Sequence, residues 1–160
     1  MVTFHGHSSW LQWAVEGLLR YYPAPYSGPD DLTEMQNQYR LPVVLQMTCF
    51  TGSFHRPEVA TLDESLLRLS GGGAVAVWGS TGLGVSTGHV SLQSGFYQAI
   101  NDHEDRDLGA ATLAGKMELY ATGSHQELLD TFTLFGDPAL KMNLTIAPYS
   151  NQVYLPIVRR

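Results

Sequence analysis

LPVVLQMTCFTGSF, residues 41–54, opens beside a proline and runs through Val43-Val44-Leu45-Gln46-Met47 before breaking into Thr48-Cys49-Phe50-Thr51-Gly52. A short, mostly β-favouring apolar run bounded by Pro and Gly predicts a buried strand of a parallel sheet. Such strands are covered on both faces and so are apolar throughout. Cys49, the only cysteine in the chain, stands where that strand ends. Open α/β sheets gather ligands and reactive groups at the carboxyl ends of their strands. A thiol placed there is a nucleophile if a neighbouring group takes its proton. The candidate base lies upstream, in Met1–Trp13, MVTFHGHSSWLQW.

The chain has 160 residues, enough for one domain with a core of its own. Hydrophobic residues make up 44% and charged residues 15%, which places it among globular and not disordered chains. A formal charge of −6 argues against a nucleic-acid partner, because phosphate binding needs a basic stripe. The Lys and Arg residues are scattered, and the one doublet is Arg159-Arg160. No run approaches the ~18 apolar residues of a membrane span, and the N-terminus lacks a signal-peptide pattern. The chain is already strand-like at Val2-Thr3-Phe4 and meets its first chemistry at His5-Gly6-His7. It is therefore expected to be the C-terminal part of a longer protein, with its sheet lacking the first strands.

Around these two stretches the pattern alternates. Trp10, Leu11, Trp13, Ala14, Leu18 and Tyr21 have helical spacing and predict a helix over 10–22, with Ser8 or Ser9 as its cap. Pro23, Pro25, Gly28 and Pro29 mark a loop, and Asp30 or Asp31 caps a short helical piece over 32–37. Thr61-Leu62-Asp63-Glu64 is a capping box opening a helix over 62–69, which Gly71-Gly72-Gly73 ends. Ala74–Trp78 predicts a second buried strand running into the small, polar loop Gly79–Gly88. Helices are expected over 89–101, 108–120 and 126–130, and a strand over 140–146. Strands alternating with helices predict an α/β/α three-layer sandwich with a mainly parallel sheet.

If His7 and Cys49 end neighbouring parallel strands, they meet at the sheet's carboxyl edge. The imidazole then takes the thiol's proton and returns it to a leaving amine. Backbone N–H groups of the adjoining turns can face a developing oxyanion. A cysteine after a strand is nevertheless more often an inert core residue than a nucleophile. His5 is the alternative base, since it keeps a His-Gly dipeptide where His7 precedes Ser8, but its distance to a tryptophan does not fit. His5 and His7 also form a zinc-capable pair, but no Asp, Glu or third His lies nearby in sequence, and no metal site is assigned. Gly79-Ser-Thr-Gly-Leu-Gly84 lacks the lysine and spacing of a phosphate cradle. Trp10 and Trp13 read as core or pocket-floor aromatics. His55, His89, His103 and His125 fall in loops or at helix starts and are expected on the solvated surface. The tail, residues 150–160, is too short to cross a bilayer.

Four blocks, in order, resemble the gingipain-type cysteine peptidases of the caspase-like clan. Gly6-His7-Ser8-Ser9 with Trp13 six residues after the His resembles their Gly-His-Gly-Ser…Trp block. Leu41–Phe54 is similar to their cysteine block. Leu62-Asp63-Glu64-Ser65-Leu66-Leu67, followed by Gly72-Gly73-Ala74-Val75-Ala76-Val77-Trp78-Gly79-Ser80-Thr81-Gly82, is similar to the helix and strand after it. Thr131-Phe132-Thr133-Leu134-Phe135-Gly136-Asp137-Pro138-Ala139-Leu140 resembles the closing block. The resemblance covers about residues 1–143, which are expected to form the peptidase domain, with 144–160 a tail or the start of another module.

The resemblance implies a caspase-like fold and endopeptidase action on a protein or peptide substrate, with Cys49 as nucleophile and His7 as general base and acid. It implies an oxyanion hole from the N–H groups of Cys49 and Ser8, where the family pattern has glycine at the second position. It also implies a primary specificity pocket walled by His5, Met47 and the loop that begins Gly79-Ser80-Thr81. No cofactor is implied beyond structural calcium, for which no ligand set stands out, and the family's location is extracellular or at the cell surface. The alternative is a non-catalytic caspase-like binding or scaffold module of a secreted protein.

Overall fold

The computed structural model describes residues 1–102, 104 and 106–144. Four strands form the main sheet: β1 (Val2–His5), β4 (Val43–Met47), β5 (Ala76–Ser80) and β6 (Phe132–Phe135). They lie side by side in that order, β1, β4 and β5 parallel and β6 antiparallel to β5. Every residue of β4 is buried, which accounts for its unbroken apolar run. Val43, Leu45 and Met47 face one side and pack with Ala76 and Trp78 of β5. Val44 faces the other side with Val77.

Helices α2 (Ser86–Asn101) and α3 (Leu108–Thr122) cover the first face. They approach closely because Gly95 and Gly115 meet at their crossing. A Cβ on Gly115 would stand 2.5 Å from the Leu92 carbonyl oxygen and 2.6 Å from the Trp78 ring. Helix α1 (Leu62–Arg68) covers the second face through Leu62 and Leu66. Its start is the expected capping box, with Glu64 Oε2 accepting from the Thr61 N–H at 2.8 Å. The short α4 (Glu127–Thr131) leads into β6. The layered α/β architecture thus matches the sequence pattern.

The first predicted helix is absent. Residues 10–22 hold instead a small antiparallel pair, β2 (Gln12–Trp13) and β3 (Leu19–Arg20). Its apolar residues work with period two: Leu11 and Trp13 are buried and Gln12 between them is half-exposed. Trp13 stacks on Phe4 at 4.6 Å between centroids. Ala14 (φ 58°) and Gly17 (φ 71°) take the left-handed conformation, which interrupts any helix. Arg20 closes the unit with two guanidinium bonds to Asp31, at 2.8 and 2.9 Å. The bond from Arg20 holds the Asp31 carboxyl below its ordinary range. Residues 32–37 are turns and irregular chain, not a helix, although Asp30 does accept from the Leu32 N–H at 3.1 Å. The strand expected over 140–146 is likewise absent through residue 144, where only a Lys141–Asp107 bridge forms. The rest of that stretch, the tail and His103 lie outside the described residues.

The glycine triplet after α1 has a specific task. Gly73 sits at φ 92°, and a Cβ there would lie 2.0 Å from the Leu66 carbonyl oxygen. Asn37 brackets it, accepting from the Gly73 N–H and donating to the Gly73 carbonyl, each at 2.9 Å. Gly73→Ala is expected to destabilise the fold by about 3 kcal/mol, read as a lower urea midpoint at unchanged slope.

Candidate active site

The carboxyl ends of β1, β4 and β5 converge, and the turns beyond them are tied together. His5 pairs in register with Met47, and the Gly6 N–H reaches the Met47 carbonyl at 3.4 Å. Thr48 Oγ1 lies 2.7 Å from both the Gly6 carbonyl oxygen and Ser8 Oγ, so its one proton serves either. Ser8 Oγ in turn donates to the Cys49 carbonyl. Two hydroxyls therefore bind the turn carrying His7 to the turn carrying Cys49. His7 is solvent-exposed, with its carbonyl fixed by the Ala14 N–H at 2.8 Å. Beyond the strand, it is not held on a common strand face with His5. Among the described residues there is no cluster of three or more metal-ligating side chains.

Cys49 is half-buried and its thiol is free of any disulfide. Its sulfur accepts from the Gly84 N–H at 3.3 Å and lies 3.6 Å from the Gly84 carbonyl oxygen. Among the described residues, the His7 ring makes no hydrogen bond, so the partner of the thiol is the loop after β5 and not the imidazole. Phe50, next in the chain, has φ 61°, a conformation that L side chains adopt at a cost of about 1–3 kcal/mol. It is over-determined by neighbours: the Phe50 N–H donates to Gly82 at 2.9 Å and the Gly52 N–H to Ser80 at 3.0 Å. That sharp turn sets Cys49 apart from the strand. Among the described residues, neither the Ser8 nor the Cys49 backbone N–H donates to a protein acceptor.

The expected pocket residues separate into two groups. His5 is exposed at the tip of β1, and Met47 beside it is fully buried. Gly79 and Ser80 belong to β5 and are buried, so the loop begins at Thr81, which is half-buried. A Cβ on Gly79 would stand 2.2 Å from the Asp63 carboxylate, on the α1 side of the sheet.

Two groups near the site were not legible as such. His89, expected on the surface, is 3% exposed. Its ring meets His5 edge-on at 5.9 Å and Phe132 at 5.4 Å. Burial, with the His5 charge adding, pushes its pKa down to about 4. The available signal was its place in the apolar stripe of α2, three residues before Leu92 and seven before Phe96. Asp63 is fully buried beneath the Cys49 turn. Its Oδ1 accepts from Gln46 Nε2, whose amide oxygen accepts from the Trp13 indole. Burial pushes the Asp63 carboxyl up to about 8, against the Thr51 hydroxyl and with Glu64 adding. In sequence, Asp63 looks like an ordinary first-turn helix acid.

Residues 1–143 match the model of Peptidase family C25. The chain belongs to peptidase family C25. This is the gingipain family of cysteine peptidases, as the four sequence blocks implied. The C25 chain superposes on the Arg-specific cysteine proteinase gingipain R (RGPB) with a TM-score of 0.74 at 22% identity, covering 88% of this chain and 33% of that one. The complex of Porphyromonas gingivalis RgpB pro- and mature domains gives 0.72 at 23% identity, over 88% and 33%. A structure described only as a protease gives 0.71 at 16% identity, over 87% and 34%. These likenesses show a shared caspase-like fold, and this C25 chain spans about a third of each solved chain. No curated protein matches it significantly.

Proposed function

We propose that this C25 chain carries the catalytic pair of a cysteine endopeptidase, with Cys49 as nucleophile and His7 as general base and acid. The observation that carries the reading is the stapling of the two turns through Thr48 and Ser8 at the tips of adjacent parallel strands. In the reaction, the Cys49 thiolate attacks a peptide carbonyl, and the oxyanion is taken up by the unengaged N–H groups of Ser8 and Cys49. His7 then protonates the departing amine and activates water against the thioester. Exposure of His7 leaves its ring free to swing toward the sulfur when substrate arrives, as apo-site hydrogen bonds often form only in the complex. His5 and the loop from Thr81 line the side-chain pocket, with the buried Met47 beside His5 and Gly79 and Ser80 supporting it from β5. The substrate is a protein or peptide, no cofactor takes part, and the family resemblance supports action outside the cell or at its surface.

The test is incubation of the full-length protein with a mixture of unfolded proteins, followed by mass spectrometry of new termini. Cleavage that stops once Cys49 is alkylated is the expected result. Absence of cleavage under all conditions would favour the second reading, a non-catalytic module. That reading draws on the thiol's bond to Gly84 in place of the imidazole.

A further inference from the structure

Gly84 is the residue nearest the candidate nucleophile that the proposed mechanism leaves without a role. Its N–H donates to Cys49 Sγ at 3.3 Å, and its carbonyl oxygen lies 3.6 Å from the same atom. Its Cα is backed by a wall: a Cβ there would stand 2.1 Å from Nε2 and 2.7 Å from Cε1 of His89. That Nε2 is itself buried without a hydrogen-bond partner among the described residues, in a side chain only 3% exposed. A buried polar nitrogen left unpaired has a cost, and here that nitrogen stands directly behind the Gly84 Cα, on the side where an added side chain would need room. Phe132 and His5 hold the ring in place from the other sides.

We infer that the Gly84 N–H supports the negative charge of the attacking Cys49 sulfur, and that His89 is a positioning residue that presses Gly84 against it. The inference rests on the reading of Cys49 as a nucleophile. A backbone donor on a thiolate is a charge-assisted hydrogen bond, stronger than its neutral counterpart, so the contact favours the reactive form over the thiol. The carbonyl oxygen of the same residue accepts the S–H hydrogen bond in the resting state. A glycine is required because any side chain meets the imidazole, and the imidazole matters because it stops the loop from drifting off the sulfur.

The test is the rate of Cys49 alkylation by iodoacetamide at neutral pH in the intact protein, each variant first shown to melt cooperatively. The reaction displaces iodide and forms one C–S bond, and Cys49 is the only cysteine in the chain. Gly84→Ala is expected to slow it about tenfold and to move its pH profile upward. A second comparison, in the His89→Ala background where the ring is gone, guards against a folding failure. His89→Ala should itself react about tenfold more slowly than the wild type, because the loop has lost its support, and in that background Gly84→Ala should keep its parent's rate. A His89→Ala rate equal to the wild type's, or wild-type alkylation in Gly84→Ala, would overturn the inference. Because alkylation needs no peptide, the two readings fail separately. Slowed alkylation in a protein that cleaves nothing keeps the Gly84 role and rejects the peptidase. Cleavage with unchanged alkylation does the reverse.

Discussion

Replacing His7 by alanine is expected to lower kcat/KM for peptide hydrolysis by about 10²–10⁴-fold, the range set by loss of a positioned general acid and base. The thermal midpoint should stay put, because His7 is exposed and only its backbone carbonyl is engaged, with Ala14. A large kinetic loss without a stability loss separates a chemical role from a structural one. His5→Ala is the matched control. His5 lies on the same short segment and is also exposed, but it ends β1 in register with Met47 and leans on His89. Its replacement should alter KM through the pocket and leave kcat within about tenfold. If His5→Ala gave the larger loss of kcat, the two imidazoles would exchange roles.

The largest expected stability effect belongs to Asp63. Its carboxyl is pushed up to about 8 in the folded protein, against about 3.9 in an unfolded chain. Between those values the folded state holds a proton that the unfolded state has released. Stability is therefore full below about pH 4, falls as pH rises towards about 8, and falls no further once both states are ionised. Asp63→Asn presents the same shape without the titration, and its Oδ1 still accepts from Gln46. The variant should show a flat profile across that window. At its alkaline end it should exceed the wild type by on the order of 3 to 5 kcal/mol, measured by urea unfolding at a series of pH values. Parallel profiles for the two proteins would show that Asp63 is not the titrating group. The effect bears on the site, since Asp63 packs beneath Gly52 and Gly79, where added Cβ atoms would meet it at 2.8 and 2.2 Å.

The fold was legible where local and tertiary signals agreed. Val43–Met47 reads as a doubly covered strand because it is one, and the Thr61…Glu64 box marks a helix start by a mechanism contained in four residues. Residues 10–22 misled because Trp10, Leu11, Trp13 and Leu18 satisfy a helical spacing as well as a hairpin's. The decision was made by partners distant in sequence, the Phe4 ring and the Gln46 amide. For the proposed site, His7 and Cys49 stand out as candidates from motif and spacing alone. Gly84 and His89 could not, because their significance lies in a loop from β5 crossing the tip of β4. The hydroxyl staple through Thr48 and Ser8 was hidden for the same reason, as small polar residues flanking a turn have many uses.

The partnership of the two turns is tested most directly by treating the intact protein with a peptidyl acyloxymethyl ketone and weighing it. This probe alkylates a thiol only after activated attack. One adduct, mapped to Cys49 in the wild type and absent from a folded His7→Ala variant at the same dose, is the predicted result. Equal labelling of the two proteins would contradict the dyad.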